Sequence, residues 1–126
     1  MLRQIARSGA GLLVGFASAS AVLLGAFGAH ALRDVLDPAH RELWHTAVEY
    51  HAWHALALAL AVGLGHGRAG RCAVLAFALG IALFSGSLYA LALGAPRWTG
   101  FATPFGGVAF VVGWIALGMA LRPRAD

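Results

Sequence analysis

The stretch Y-H-A-W-H-A-L-A-L-A-L-A-V-G-L-G-H-G, residues 50–67, contains no Asp, Glu, Lys or Arg, and it decides the fold class. Helical residues rise about 1.5 Å each, so roughly 20 apolar residues cross a hydrocarbon core of about 30 Å. Three further stretches, residues 8–32, 72–96 and 98–121, also lack these charged residues. The sequence therefore predicts four transmembrane helices in a single domain, residues 1–126.

The composition indicates the same environment. The chain is 60% hydrophobic and 11% charged, with a mean hydropathy of +0.77, which leaves too little polar surface to cover a water-soluble globule. Lipid cannot satisfy the edges of an open sheet, and the segments lack the alternation of a β-barrel. We therefore predict an all-α membrane protein, a four-transmembrane-helix bundle.

The arginines predict the orientation of the bundle. With four spans, both termini and the second loop share one side, and that side holds twice as many arginines as the other. Since positive residues favour the cytoplasm, both termini are predicted to be cytoplasmic. The arginines on the termini and second loop are Arg3, Arg7, Arg68, Arg71, Arg122 and Arg124, and those on the other side are Arg33, Arg41 and Arg97.

The first span invites a second interpretation. Arg3 and Arg7 precede an apolar run that ends in Ala29-His30-Ala31, as in a cleavable secretory signal. The run exceeds the roughly 7 to 15 apolar residues of such signals, so we expect the segment to be retained. The net charge of +4 follows from membrane anchoring, and no basic motif with interleaved aromatic residues indicates nucleic acid. The expected partners are the lipid bilayer and either further copies or a larger membrane complex.

The segment W-H-T-A-V-E-Y-H-A-W-H, residues 44–54, raises the question of a metal or haem site. Asp37 and Pro38 predict that helix two begins near residue 38, so its first turns cross the interface, where aromatic rings are favoured. His51 and His54 lie three residues apart and offer two ligands, but zinc or haem iron needs more. The sequence predicts no metal or cofactor, with a histidine site as the less favoured alternative.

Small residues recur every four positions in two spans, which places them on one helix face. Such faces let a second backbone approach closely and are expected to act as packing seams, within or between subunits. The first-span seam comprises Ala17, Ala21, Gly25 and Ala29, and the third-span seam comprises Ala78, Ala82, Gly86, Ala90 and Gly94.

Polar residues gather at one depth, in the outer half of the membrane. Unpaired polar groups there cost on the order of 1 to 3 kcal/mol, so we expect them to bond to one another. We predict that the His54 ring points inward, into a cluster that fixes helix register or binds a ligand. The cluster is drawn from His30, Tyr50, His54, Ser85, Tyr89 and Thr103.

Four motifs resemble a known family. The motifs are G-A-F-G-A-H-A-L at 25–32, W-H-T-A-V-E-Y at 44–50 with H-A-L-A-L at 54–58, L-F-S-G-S-L-Y-A-L-A at 83–92 and T-P-F-G-G-V-A-F-V-V-G-W at 103–114. Together they resemble the YgdD-like family of small four-helix membrane proteins. The resemblance implies a bacterial inner-membrane protein without an assigned activity. The motif polar positions carried over are His30, Trp44, Thr46, Tyr50, His54, Ser85, Ser87, Tyr89, Thr103 and Trp114. Departures at His40, His45 and His51 argue against a histidine-rich site.

Three function classes follow. A scaffold or accessory subunit that assembles through the seams is favoured, because packing is the strongest signal. A small-molecule transporter or channel is the alternative, although ion-coupled transport usually leaves a charge inside a span and none is present. A membrane enzyme or a metal or haem binder is least favoured, because no catalytic motif is found.

Overall fold

The computed structural model describes residues 1–123, without the side chains of Arg3 and Ala6. Arg124, one of the arginines counted for the orientation, lies outside the described residues. The helical elements are α1 (Leu2–His30), α2 (Pro38–Leu64), α3 (Gly67–Gly80), a π-helical segment (Ile81–Ser85), α4 (Gly86–Ala92), a 3₁₀ turn (Arg97–Phe101) and α5 (Ala102–Ala120).

Four helical stretches are long and apolar enough to cross a membrane: Arg7–His30, Pro38–Leu64, Gly67–Ala92 and Arg97–Ala120. No strand occurs between residues 1 and 123. The prediction of an all-α bundle with four membrane spans is therefore confirmed. The second span begins well before the charge-free stretch from which it was predicted, because α2 starts in the polar segment that leads into the membrane.

The start of α2 depends on Asp37. This residue is the N-cap, and its carboxylate accepts a hydrogen bond from the backbone N–H of His40 at 2.9 Å. Pro38 occupies the first helical position, where a missing N–H costs no helix bond. The first turns of α2 therefore belong to the polar end of the bundle.

The core lies between α2, α3 and α5. Leu58 on α2 and Phe77 on α3 are fully buried, and Leu117 on α5 packs into the same cluster. Helix α1 is peripheral: among the described helices, only α2 brings Cα atoms within 8 Å of those of α1. One helix of the bundle therefore relies on a single neighbour for backbone packing.

Close packing in the core depends on three glycines, two of which face aromatic rings and one of which faces backbone. A Cβ atom on Gly80 would lie 2.4 Å from the Phe110 ring, and one on Gly113 would lie 2.7 Å from the Phe77 ring. On Gly106 it would lie 2.3 Å from the backbone nitrogen of Phe84. Helices α3 and α5 therefore approach each other at a distance that only glycine permits.

The π-helical segment shifts the inward face of the third span by one residue. Buried positions follow α-helical spacing up to Gly80 and resume at Ser85, five residues later, which is the period of a π-helix. Ser85 is fully buried as a result, and its hydroxyl donates to the backbone carbonyl of Ala47 at 2.8 Å. The segment thus ties the third span to α2.

Candidate functional site

The His54 ring on α2 points into the bundle and both of its nitrogens are engaged. The indole N–H of Trp114 lies 3.1 Å from Nε2, and the carbonyl oxygen of Tyr50 lies 2.6 Å from Nδ1. Because an indole N–H can only donate, Nε2 accepts, and we assign the proton to Nδ1, which donates to Tyr50. His54 is therefore held as a neutral ring with a fixed tautomer.

Aromatic rings enclose His54. The Phe110 ring stacks on it, with centroids 3.5 Å apart and planes 9° from parallel, and the Phe77 and Trp114 rings lie 5.9 and 6.0 Å away. His54 is only 4% exposed. This arrangement leaves the imidazole no free nitrogen for a ligand, so its geometry fits a structural role.

A second network is centred on His51, one turn earlier on α2. The Tyr89 hydroxyl lies 2.9 Å from Nδ1, and the Ser20 hydroxyl lies 3.2 Å from Nε2 and 3.1 Å from the carbonyl oxygen of Ala17. A carbonyl only accepts, so Ser20 donates to Ala17 and accepts from Nε2–H, which leaves Nδ1 to accept from Tyr89. A directed chain of hydrogen bonds thus connects α4, α2 and α1.

The side chains of Ser87 and Thr103 form a separate pair. The Ser87 hydroxyl donates to the Phe84 carbonyl at 2.9 Å, so the Thr103 hydroxyl donates to Ser87. Thr103 therefore connects α5 to α4. No buried side-chain nitrogen or oxygen of the described residues lacks a hydrogen-bond partner.

The predicted polar cluster is divided by the structure. His54 bonds to the backbone carbonyl of Tyr50 and not to its side chain. Tyr89 belongs to the network of His51, and Ser85 and Thr103 belong to two further contacts. His30 is exposed at the end of α1 and makes no side-chain hydrogen bond with the described residues. The residues share a depth, but they face different neighbours around the bundle.

Three residues of these networks, His51, Ser20 and Trp114, lie outside the cluster predicted from the sequence. The family resemblance marks His51 as a departure from the motif, yet this residue is only 4% exposed. Its depth was the available signal, since a polar ring inside a span needs a partner.

Among the described residues, no three His, Cys, Asp or Glu side chains lie close enough together to hold a metal ion.

The first-span seam lies partly against α2. Ala17 and Ala21 are buried, and a Cβ atom on Gly25 would lie 3.3 Å from Val48 Cγ1, whereas Ala29 is exposed. Trp44 lies over Gly28 instead and donates its indole N–H to the Leu24 carbonyl at 3.0 Å.

The third-span seam lacks a partner helix within the chain at its centre. A Cβ atom on Gly86 would meet nothing within 4 Å, and Ala82 and Gly94 are exposed, whereas Ala78 and Ala90 are half-buried. Gly80 supplies the close approach to α5. Gly86 is left open because the π-helical segment turns Ser85 inward instead.

The family model described as "Protein of unknown function (DUF423)" matches residues 24–107, which contain Trp44, His54, Ser85 and Tyr89. The chain belongs to this family. It is 45% identical over 105 residues to the UPF0382 membrane protein YwdK of Bacillus subtilis, covering 79% of this chain and 85% of that protein. It is 42% identical over 99 residues to the UPF0382 inner membrane protein YgdD of Escherichia coli, covering 74% of this chain and 73% of that protein.

These relatives confirm the resemblance found in the sequence motifs. Together with the four membrane-spanning helices, they identify the chain as a multi-pass inner-membrane protein. The family description assigns no biochemical activity. No solved structure matches the chain.

Proposed function

We propose that the chain is a scaffold or accessory subunit of the inner membrane, which assembles with further copies or within a larger membrane complex through small-residue faces. The observation that carries this proposal is the open space at Gly86. At the core glycines Gly80, Gly106 and Gly113, a phenylalanine of another helix occupies the space where a Cβ atom would lie. At Gly86, no described atom outside its own stretch of helix lies within 4 Å of that position.

The packing of the centre supports the proposal. Leu58, Phe77 and Ala73 are fully buried, and the buried polar side chains are satisfied by neighbours within the chain. His54 has both nitrogens engaged and Phe110 against its ring. A centre filled in this way favours a structural role over a substrate path through the middle of the bundle.

The peripheral position of α1 adds a second free surface. Its exposed side includes Gly11, Gly15 and Ala19, spaced four residues apart, and Cβ atoms on the two glycines would meet nothing within 4 Å. Small residues at this spacing allow close approach of helices in membranes, where packing rather than the hydrophobic effect drives association. Both free surfaces therefore fit helix association within the bilayer.

Assembly is tested by placing a bulky side chain in the open space. In Gly86→Leu the new side chain would prevent a second helix from approaching, so we expect loss of the oligomer in mild detergent or nanodiscs, with the fold retained. Gly63→Leu is the matched control, because Gly63 is exposed on α2 and also meets nothing within 4 Å. An oligomer profile that is the same for both variants and the unchanged chain would contradict the proposal.

A small transporter or channel is the second candidate, and the chain from Tyr89 through His51 to Ser20 favours it. Linked hydroxyl and imidazole groups inside a membrane are the parts from which proton pathways are built. His51→Leu should then abolish proton flux into liposomes that contain the protein. Flux that is absent from the unchanged protein, or equal in the variant, would exclude this candidate.

We further propose that both termini face the cytoplasm and that the chain has no enzymatic activity. The orientation rests on the excess of arginine at the end that holds Arg7, Arg68, Arg71 and Arg122. The absence of activity is supported by the engagement of both His54 nitrogens, since a general base needs a free nitrogen facing its substrate.

A further inference from the structure

A cleft opens between α1 and α3 at the arginine-rich end of the bundle. Its volume is about 640 Å³, and Arg7 and Arg71 lie at its rim. Because the backbone of α1 approaches only α2 among the described helices, α1 and α3 form opposite walls. The floor and walls are lined by Ala10, Ala61, Val62, Gly65, Gly67, Gly70, Val74 and Leu75.

We propose that this cleft binds an anionic phospholipid, with the phosphodiester headgroup at the two arginines and an acyl chain along the apolar wall. The proposal concerns a lipid of the bilayer leaflet at this end of the bundle, and it does not depend on the proposed scaffold role.

The charges at the rim fit a phosphate group. Arg7 and Arg71 project from different helices toward one cleft, and guanidinium groups bind phosphate oxygens with two parallel hydrogen bonds. The acidic residues of the described chain, Asp34, Asp37, Glu42 and Glu49, all belong to the loop after α1 or the first half of α2, at the other end of the bundle. Neither arginine forms a salt bridge with a described carboxylate.

The turn between α2 and α3 adds a second feature that favours an anion. A Cβ atom on Gly70 would lie 2.8 Å from the backbone of Gly65, so these two glycines hold the first turn of α3 against the end of α2. The N-cap residue His66 makes no side-chain bond to that turn. Gly67 and Gly70 line the cleft, so the positive end of the α3 dipole lies beside the arginines.

The part of the cleft that lies farther from the arginines fits an acyl chain. Val62, Val74 and Leu75 continue the surface from the arginines toward the middle of the spans, and Leu75 is 71% exposed. Basic pockets between transmembrane helices with apolar walls below them bind the headgroups of anionic lipids. A free phosphate ion would occupy only the end of the cleft that holds the arginines.

The test uses the full chain in nanodiscs of phosphatidylcholine with increasing phosphatidylglycerol, followed by native mass spectrometry of the bound lipid. The double variant Arg7→Gln with Arg71→Gln should bind phosphatidylglycerol at least about a hundredfold more weakly, since each lost hydrogen bond between a guanidinium and a phosphate contributes a factor of about ten. The matched control is Arg68→Gln with Arg122→Gln, which removes the same charge at the same end outside the cleft. Its binding should fall less, by at most about thirtyfold, since these two arginines contribute only the general attraction of basic residues to an anionic surface.

Ala10→Trp provides an independent variant, because it fills the cleft from the α1 wall and keeps both arginines. It should also lose the bound lipid, and circular dichroism in pure phosphatidylcholine should show an unchanged helix content. Equal losses in the two double variants, or lipid retained in Ala10→Trp, would overturn the proposal. Displacement of phosphatidylglycerol by millimolar inorganic phosphate would also overturn it, because that result would indicate a site for a free anion.

Discussion

The indole N–H of Trp114 on α5 donates to Nε2 of His54 on α2 across 3.1 Å, and this bond fixes the neutral tautomer of the ring. It joins two helices whose polar atoms would otherwise face an apolar interior. The ring of Phe110 stacks on the imidazole beside this bond. A residue that suggested metal chemistry in the sequence thus acts as a connection between helices.

Trp114→Phe tests this connection. The substitution removes the only indole donor to His54 and leaves Nε2 buried without a partner, so stability should fall by about 1 to 3 kcal/mol. Thermal unfolding in detergent measures the change. Trp98→Phe is the control, because Trp98 is 70% exposed and makes no side-chain hydrogen bond with the described residues. Unfolding temperatures that fall equally in the two variants would contradict the assigned role.

A second prediction concerns the network around His51. Tyr89→Phe removes the donor to Nδ1, and the unfolding free energy should fall by about 1 to 3 kcal/mol. Ser20→Ala should show coupling with Tyr89→Phe in a double-mutant cycle, because both residues bond to the same ring. Tyr50→Phe is the control, since the Tyr50 hydroxyl bonds to no described residue. Additive effects of the two substitutions would argue against a single directed chain.

Gly106→Ala addresses the contact between α5 and the π-helical segment. The new methyl group would lie 2.3 Å from the Phe84 nitrogen, so backbone must move, and we expect a loss of about 1 to 3 kcal/mol or more. Gly107→Ala is a neighbouring control, because its methyl group would lie 3.9 Å from the Phe84 ring, an ordinary contact. Equal stability of the two variants would contradict the observed helix approach.

The N-cap of α2 should respond to acid. The backbone N–H of His40, and then its ring, hold the pKa of the Asp37 carboxyl below its usual range. A carboxyl whose folded pKa is lowered stabilises the helix fully above its unfolded pKa of about 4, and this contribution is lost as the pH falls through the lower folded value.

An NMR titration of the His40 amide should therefore show a midpoint below the usual value for Asp. Asp37→Asn keeps a side-chain cap without the ionisation, so the titration should disappear in that variant. A midpoint at or above the usual value would show that the carboxylate does not accept these bonds in the membrane-bound protein.

The membrane spans and the start of α2 follow from local features of the sequence. Charge-free length defines a span, and Asp37 followed by Pro38 specifies a cap and a first turn wherever the helix later packs. The grouping of the polar residues does not follow in this way. Depth along a helix places Tyr89 and His54 at similar levels, but their partners depend on the rotation and position of neighbouring helices.

The π-helical segment determines which residues of the third span face the core. Spacing by four assigns Gly86 to a packing face, whereas the inserted turn places Gly80 and Ser85 inward and leaves Gly86 open. Within the same segment, Gly106 closely approaches the backbone of Phe84, a contact between residues far apart in sequence. The spacing of residues within one helix gives no information about such a contact.

The measurement that tests the assembly proposal most directly is disulfide crosslinking at position 86 in native membranes. Cys72 is exposed and is first replaced by serine, and then Gly86→Cys is compared with Gly63→Cys under mild oxidation. If the open face at Gly86 is an assembly surface, a discrete crosslinked product forms at residue 86 and not at residue 63. Absence of that product, or equal products at both positions, would contradict assembly through this face.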